Sequence, residues 1–138
     1  MTEIAHIRKA AGILIRNRKL LVERSYGKEF FIAPGGSIEP GETAEEALVR
    51  ELMEEFRITV QEKDLELFGT FRAAAAGQED KIVEMKVFNV LEWQGEPTAD
   101  NEVEEVRWVT SEPEEGIKLG SIFEHDVIPR LKSSGLID

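Results

Sequence analysis

The stretch from Gly36 to Ile58 constrains this chain more than any other. It places a glycine, a loop with Pro40 and Gly41, Glu42, and then Arg50-Glu51 and Glu54-Glu55 within one periodic run. Thr43 and Glu46 carry the T-x-x-E signature of a capping box, which predicts a helix beginning at Thr43 and running to about Phe56. At roughly 100° per residue, Glu51, Glu54 and Glu55 fall within about 100° of arc on that helix. Ala44, Ala47 and Leu48 occupy the same arc, and Leu52 and Phe56 extend it. A solvated acidic face would oppose the apolar stripe, whereas here the two coincide. Carboxylates crowded beside an inward face are costly unless protonated, paired or bound to a cation. A hard, oxygen-seeking divalent ion is the simplest resolution, and Mg²⁺ at a phosphate ester is its commonest use.

Around this helix the pattern alternates between strands and turns. His6–Ile15 and Lys19–Ser25 read as two strands joined in a hairpin at Arg16-Asn17-Arg18. Phe30-Phe31-Ile32 reads as a short strand entering the loop Ala33–Gly41. Leu65–Ala74 and Lys81–Trp93 predict longer strands, followed by a turn at Gln94–Glu96 and a strand over Glu104–Val109. Ser121–Lys132 predicts a last helix, capped by Ser121 and Glu124 and kinked at Pro129. Strands flanking one helix and followed by another give an α/β fold, an α/β/α sandwich around a mixed β-sheet, with residues 1–138 as one domain.

Composition excludes several classes of function. The chain has 138 residues, no cysteine and a net charge of −11. Absence of cysteine removes disulfides, zinc–thiolate sites and thiol catalysis, and fits a reducing cytoplasm. No apolar run approaches the roughly 18 residues of a membrane span, and Met1–Ala10 carries charges where a signal peptide would be apolar. The acidity disfavours duplex nucleic acid as a partner. A small nucleotide is different, because Mg²⁺ and a few basic side chains can meet its charge locally.

At these residues the chain resembles the Nudix hydrolases, whose box reads G-x5-E-x7-R-E-U-x-E-E-x-G-U with U a bulky apolar residue. Gly36, Glu42, Arg50, Glu51, Leu52, Glu54, Glu55 and Ile58 match, and Arg57 replaces the late glycine. Such a set of fixed positions arises by chance on the order of once in 10⁴ chains or less. A glycine at that place lets a chain leave its helix in a left-handed conformation. An arginine there spends about 1 kcal/mol on that geometry, or the helix ends differently.

The resemblance implies the Nudix fold and hydrolysis of a nucleoside diphosphate linked to another group. It implies Glu51, Glu54 and Glu55, with the Gly35 carbonyl, as ligands of Mg²⁺ or of Mn²⁺ in its place. Arg50 orients the neighbouring glutamates and Glu42 is its partner across the loop, although Glu42 also suits a helix N-terminus by charge alone. The general base varies within the family. Glu102, Glu104 and Glu105 occupy a segment where relatives carry one, and Glu102 is favoured at the boundary of loop and strand. Arg24 stands where MutT-like members contact phosphates. Glu124 stands where some relatives read the base, though the capping box already accounts for it. The favoured substrate is a nucleoside triphosphate, oxidised or non-standard ones included, acted on by a monomer or homodimer. ADP-ribose or a dinucleoside polyphosphate is the alternative within the class. A nucleotide-sensing module without turnover is the alternative outside it, although such modules often lose box glutamates that this chain keeps.

Overall fold

The computed structural model describes residues 5–75 and 78–138; the first four residues, part of the charged N-terminal segment, and residues 76–77 lie outside them. Among the described residues, seven strands form two sheets. β1 (Ala5–Ile13), β4 (Gly35–Ser37), β5 (Leu65–Ala75) and β6 (Gln78–Val90) make a sheet in the order β4-β1-β6-β5. β1 runs parallel to β6 and antiparallel to β4, so this sheet is mixed. β2 (Ile15–Arg16), β3 (Lys19–Ser25) and β7 (Val103–Val109) make the second, in the order β2-β3-β7.

Strand alternation divides the core into two layers. Ala10, Leu14, Leu21, Phe88 and Val90 point to one side, where Ala47, Leu48, Leu52 and Phe56 of helix α1 (Ala44–Phe56) cover them. Ala11, Ile13, Leu20, Val22 and Val87 point to the other, against Phe123, Val127 and Leu131 of the last helical segment. Strands buried on both faces require apolar residues at consecutive positions, which is what Leu20-Leu21-Val22 supplies. The expected α/β/α sandwich with a mixed sheet is therefore the observed one.

Three boundaries differ from the sequence reading. The turn at Asn17-Arg18 exists, with φ of 53° and 62°, but it joins only the short β2 to β3. The chain changes sheets at Leu14, because both edges of β1 are already taken by β4 and β6. Phe30–Ile32 reduces to single bridges, Ile32 to Glu23 and Phe31 to Leu119, while the loop after it contains β4. The predicted long strand ending at Trp93 stops at Val90.

The last helix also departs from expectation. Gly120, not Ser121, precedes its first turn, and the Gly120 carbonyl accepts the Glu124 N–H at 2.9 Å. Ser121 is thus inside the turn and does not cap it. A π-helical turn at Phe123–Val127 then leads into α2 (Ile128–Ser133). Pro129 lacks an N–H and crowds the carbonyl four residues back, and the widened turn stands just before it.

Candidate active site

Local signals at both ends fix α1. At its start the Thr43 hydroxyl accepts the Glu46 N–H at 3.0 Å, and the Glu46 carboxylate accepts the Thr43 N–H at 2.9 Å. At its end Arg57 takes the left-handed conformation itself, with φ 57° and ψ 31°, and its N–H bonds to the Met53 carbonyl. The helix therefore ends as a glycine would end it, and the Arg57 side chain pairs with Asp100 at 2.7 Å. The loop before β7 satisfies the remaining carbonyls: Thr98 N–H bonds to Phe56, Asp100 N–H to Glu55, and the Asn101 side chain to Glu54. This docking carries Glu102 to the acidic face of α1.

The glycines ahead of the helix serve close approach. A Cβ at Gly35 would overlap the Ala10 carbonyl across the β1–β4 pair, and one at Gly36 would overlap the Glu51 carboxyl. Gly36 is the space into which Glu51 fits.

Arg50 organises one half of the acidic cluster. Its guanidinium grips Glu42 through two bonds of 2.8 and 2.9 Å, reaches Glu51 at 2.9 Å and Glu54 at 3.4 Å, and donates to the Ser37 carbonyl. These bonds, with the Glu39 N–H, hold the Glu42 carboxyl down at about 2. Arg50 itself is pushed upward by the same partners, Glu42 first.

The other half lacks such a counterion. Burial pushes the Glu55 carboxyl up to about 7, and the charges of Glu51, Glu102 and Glu54 add to the shift. Glu51 is raised by burial while Arg50 pulls it back. Glu54, at the outer edge of the stripe, is exposed. Sequence reasoning missed one participant. Glu23 of β3 is only 2% exposed, and burial pushes it up to about 7, reinforced by Glu55 and opposed by Lys9 and Ser25. Its Oε2 has no hydrogen-bond partner. The available signal was a glutamate directly following Leu20-Leu21-Val22 in a strand buried on both faces.

Among the described residues no three acidic side chains already converge as a finished ion cage, since Arg50 occupies Glu51 and Glu54. The donor chemistry nevertheless fits a hard divalent ion: carboxylate oxygens and a buried oxygen without a partner, with Gly35 next along β4 to the Gly36 that Glu51 packs against.

The remaining candidates separate. Glu102 acts on Glu51 and Glu55 through its charge, whereas Glu104 is paired with Arg24 at 2.8 Å and Glu105 with Arg107 at 2.6 Å and Arg24 at 3.4 Å. Arg24 is thereby engaged, lying over the Phe31 ring as well. Glu124 is exposed beside His125 and lines a cavity of about 290 Å³ with Phe30 and Lys118, away from the carboxylates of α1. A more apolar cavity of about 350 Å³ lies between Phe30, Ile32, Met85, Ile122 and Phe123, with Lys9 at its wall. Two of its wall residues connect it to Glu23: Lys9 acts on that carboxylate by its charge, and Ile32 pairs with it through the backbone.

This box, on this sandwich, defines a class: the model of the NUDIX domain family matches residues 6–130, and the chain belongs to that family of hydrolases. Its similarities are MutT-like. It is 38% identical over 109 residues to an 8-oxo-dGTP diphosphatase of Haemophilus influenzae, covering 75% of each chain. It is 42% identical over 67 residues to an RNA pyrophosphohydrolase of Serratia proteamaculans, covering 47% of this chain and 37% of that protein. The chain thus matches little more than a third of the length of that second relative. Among solved structures, the MutT protein of Methanosarcina mazei superposes with a TM-score of 0.78 at 21% identity, covering 98% of this chain and 99% of that one. The E. coli ORF135 protein gives 0.74 at 24% identity, with 95% and 94% covered. Nudix hydrolases generally use divalent metal ions. No helix among the described residues is long and apolar enough to cross a membrane.

Proposed function

We propose that this chain is a Mg²⁺-dependent pyrophosphohydrolase. It converts a nucleoside triphosphate and water into the nucleoside monophosphate and pyrophosphate, with oxidised or non-standard bases among its substrates. The observation that carries this reading is one juxtaposition: an acidic cluster short of positive charge, connected through Lys9 and Ile32 to an apolar cavity of about 350 Å³. The first suits a cation with phosphates, the second the nucleoside attached to them. Similarity to a protein named 8-oxo-dGTP diphosphatase supports the same choice. A long RNA substrate is disfavoured by the net charge of −11. A sensing module without turnover is disfavoured by the presence of every box carboxylate.

In this reading Glu51, Glu54 and Glu55, with the Gly35 carbonyl, hold Mg²⁺, and Mn²⁺ can replace it. A divalent ion held by these residues would supply charge to neutralise phosphate oxygens and a lower pKa for water beside it. Arg50 fixes the orientation of Glu42, Glu51 and Glu54, so those carboxylates do not rearrange at each turnover. Glu102, delivered by the docked loop, accepts the proton of the attacking water. Arg24 reaches the phosphates by exchanging its Glu104 partner for a phosphate oxygen, and Glu124 touches a base extending past Phe30.

The test is a nucleotide panel with Mg²⁺ and product identification. Pyrophosphate and monophosphate from at least one triphosphate are expected. AMP and ribose 5-phosphate from ADP-ribose, without triphosphate turnover, would replace this substrate with the alternative. Tight nucleotide binding with no product would make the chain a sensor.

A further inference from the structure

We propose that Glu23 is a fourth carboxylate of the metal centre, presenting Oε2 from the sheet while Glu51, Glu54 and Glu55 present theirs from the helix. The inference rests on reading that cluster as a metal site. Leu21 faces α1 and Val22 faces the opposite layer, so alternation returns Glu23 to the α1 side. There it is 98% removed from solvent by its 2% exposure, yet Oε2 has no hydrogen-bond partner. Among the described residues no cation pairs with it, and Lys9 acts only from a distance.

Neither protonation state is satisfied by protein atoms alone. An ionised carboxylate buried beside Glu55 and Glu51 needs a positive partner. A protonated one can turn its O–H toward Ser25, but Oε2 is still left without a donor. A divalent ion, or water held by one, supplies what is missing in both cases and offsets the like charges at once. The backbone gives the position its rigidity: Glu23 is paired with Val106 of β7 on one side and Ile32 on the other.

The experiment measures Mn²⁺ affinity of the full chain by electron paramagnetic resonance, with Tm recorded with and without the ion. Wild type, Glu23→Gln, Glu23→Met and Glu55→Gln are compared. Glu23→Gln should fold, with an apo Tm at or above that of wild type, and should bind Mn²⁺ about tenfold or more weakly. Its Mn²⁺-induced rise in Tm should shrink accordingly. Glu23→Met, apolar and of similar length, should lose the same affinity, and it decides the matter if the glutamine variant folds poorly. Wild-type affinity in either folded Glu23 variant, with affinity lost in Glu55→Gln, overturns the role of Glu23 and leaves the metal site standing. Equal, negligible Mn²⁺ binding by wild type and Glu55→Gln overturns the metal site itself, and the role of Glu23 with it.

Discussion

Arg50 divides the acidic cluster into two halves that meet their charge in opposite ways. On its own side, Glu42 receives a two-pronged guanidinium and is held at about 2. Beyond its reach, burial and neighbouring carboxylates push Glu55 and Glu23 up to about 7, with Lys9 and Ser25 only partly opposing the shift at Glu23. The residue type is the same, so the environment alone separates them. Glu42, gripped through both oxygens, has little left to offer a cation. The half left short of positive charge is where an ion gains most, and Glu51 and Glu54, which Arg50 touches through one oxygen each, stand between the two.

The most severe way to break this contrast is to neutralise one ligand without changing its size. Glu55→Gln and Glu54→Gln should each lower kcat by about a thousandfold or more while the fold survives. Glu42→Gln removes charge from the satisfied half and should lower kcat far less. Steady-state kinetics at saturating Mg²⁺ checks the ranking, and a Glu42 effect equal to that of Glu55 would erase the distinction between halves.

Glu102 extends the unsatisfied half, whereas Glu104 is paired with Arg24 and Glu105 chiefly with Arg107. Glu102→Gln should therefore cost about a hundredfold in kcat, a typical contribution of a proton acceptor. Glu104→Gln and Glu105→Gln should stay within a few-fold of wild type. Equal and mild effects in all three would place the proton acceptor within the box.

Much of this was legible before any coordinate. Thr43, Glu46 and the apolar stripe all specified the same helix, and redundancy of that kind leaves little for tertiary context to override. Arg50 and Glu42 followed from the box. Glu23 did not, because a single glutamate at the end of a strand looks like any edge residue until the covering of both sheet faces is known. The docking of Thr98–Asn101 onto α1 was equally hidden, since helix carbonyls accept from any donor and no motif announces which loop will supply it. The Ser121 cap failed for a related reason: one S-x-x-E match, unsupported by other signals, gave way to Gly120 and Pro129.

A gentler probe titrates the two halves. Folding raises the Glu23 and Glu55 carboxyls from 4.5 to about 7, so the folded state holds more protons than the unfolded one in that interval. Stability of the ion-free protein should then rise as pH falls from above 7 toward 4.5, by on the order of 2 kcal/mol. Below 4.5 the sign reverses for Glu42, whose depressed carboxyl loses its contribution as pH falls toward 2. Mg²⁺ should stabilise most above pH 7, where protons no longer compete for the same oxygens. Thermal melts across pH, with and without Mg²⁺, measure both slopes. A flat ion-free profile from pH 8 to 5 that Glu23→Gln leaves unchanged would show that the second half is not strained by charge.

The smallest expected effect lies where the box departs from its family. Arg57 holds φ 57° in the place of a glycine, and its only visible compensation is an exposed pair with Asp100 at 2.7 Å. Left-handed geometry costs a residue with a Cβ about 1 kcal/mol, while an exposed ion pair returns between about 0 and 1 kcal/mol. Glycine in turn loses more backbone entropy on folding. Arg57→Gly should therefore change stability by less than about 1 kcal/mol, because the three terms nearly cancel. Because Asp100 also bonds the Glu55 carbonyl through its N–H, the loop should stay docked and kcat should hold. Chemical denaturation and steady-state assays read the two quantities apart. A large loss of kcat with stability intact would mean that the Arg57–Asp100 pair, and not the backbone bonds, keeps Glu102 beside the acidic face.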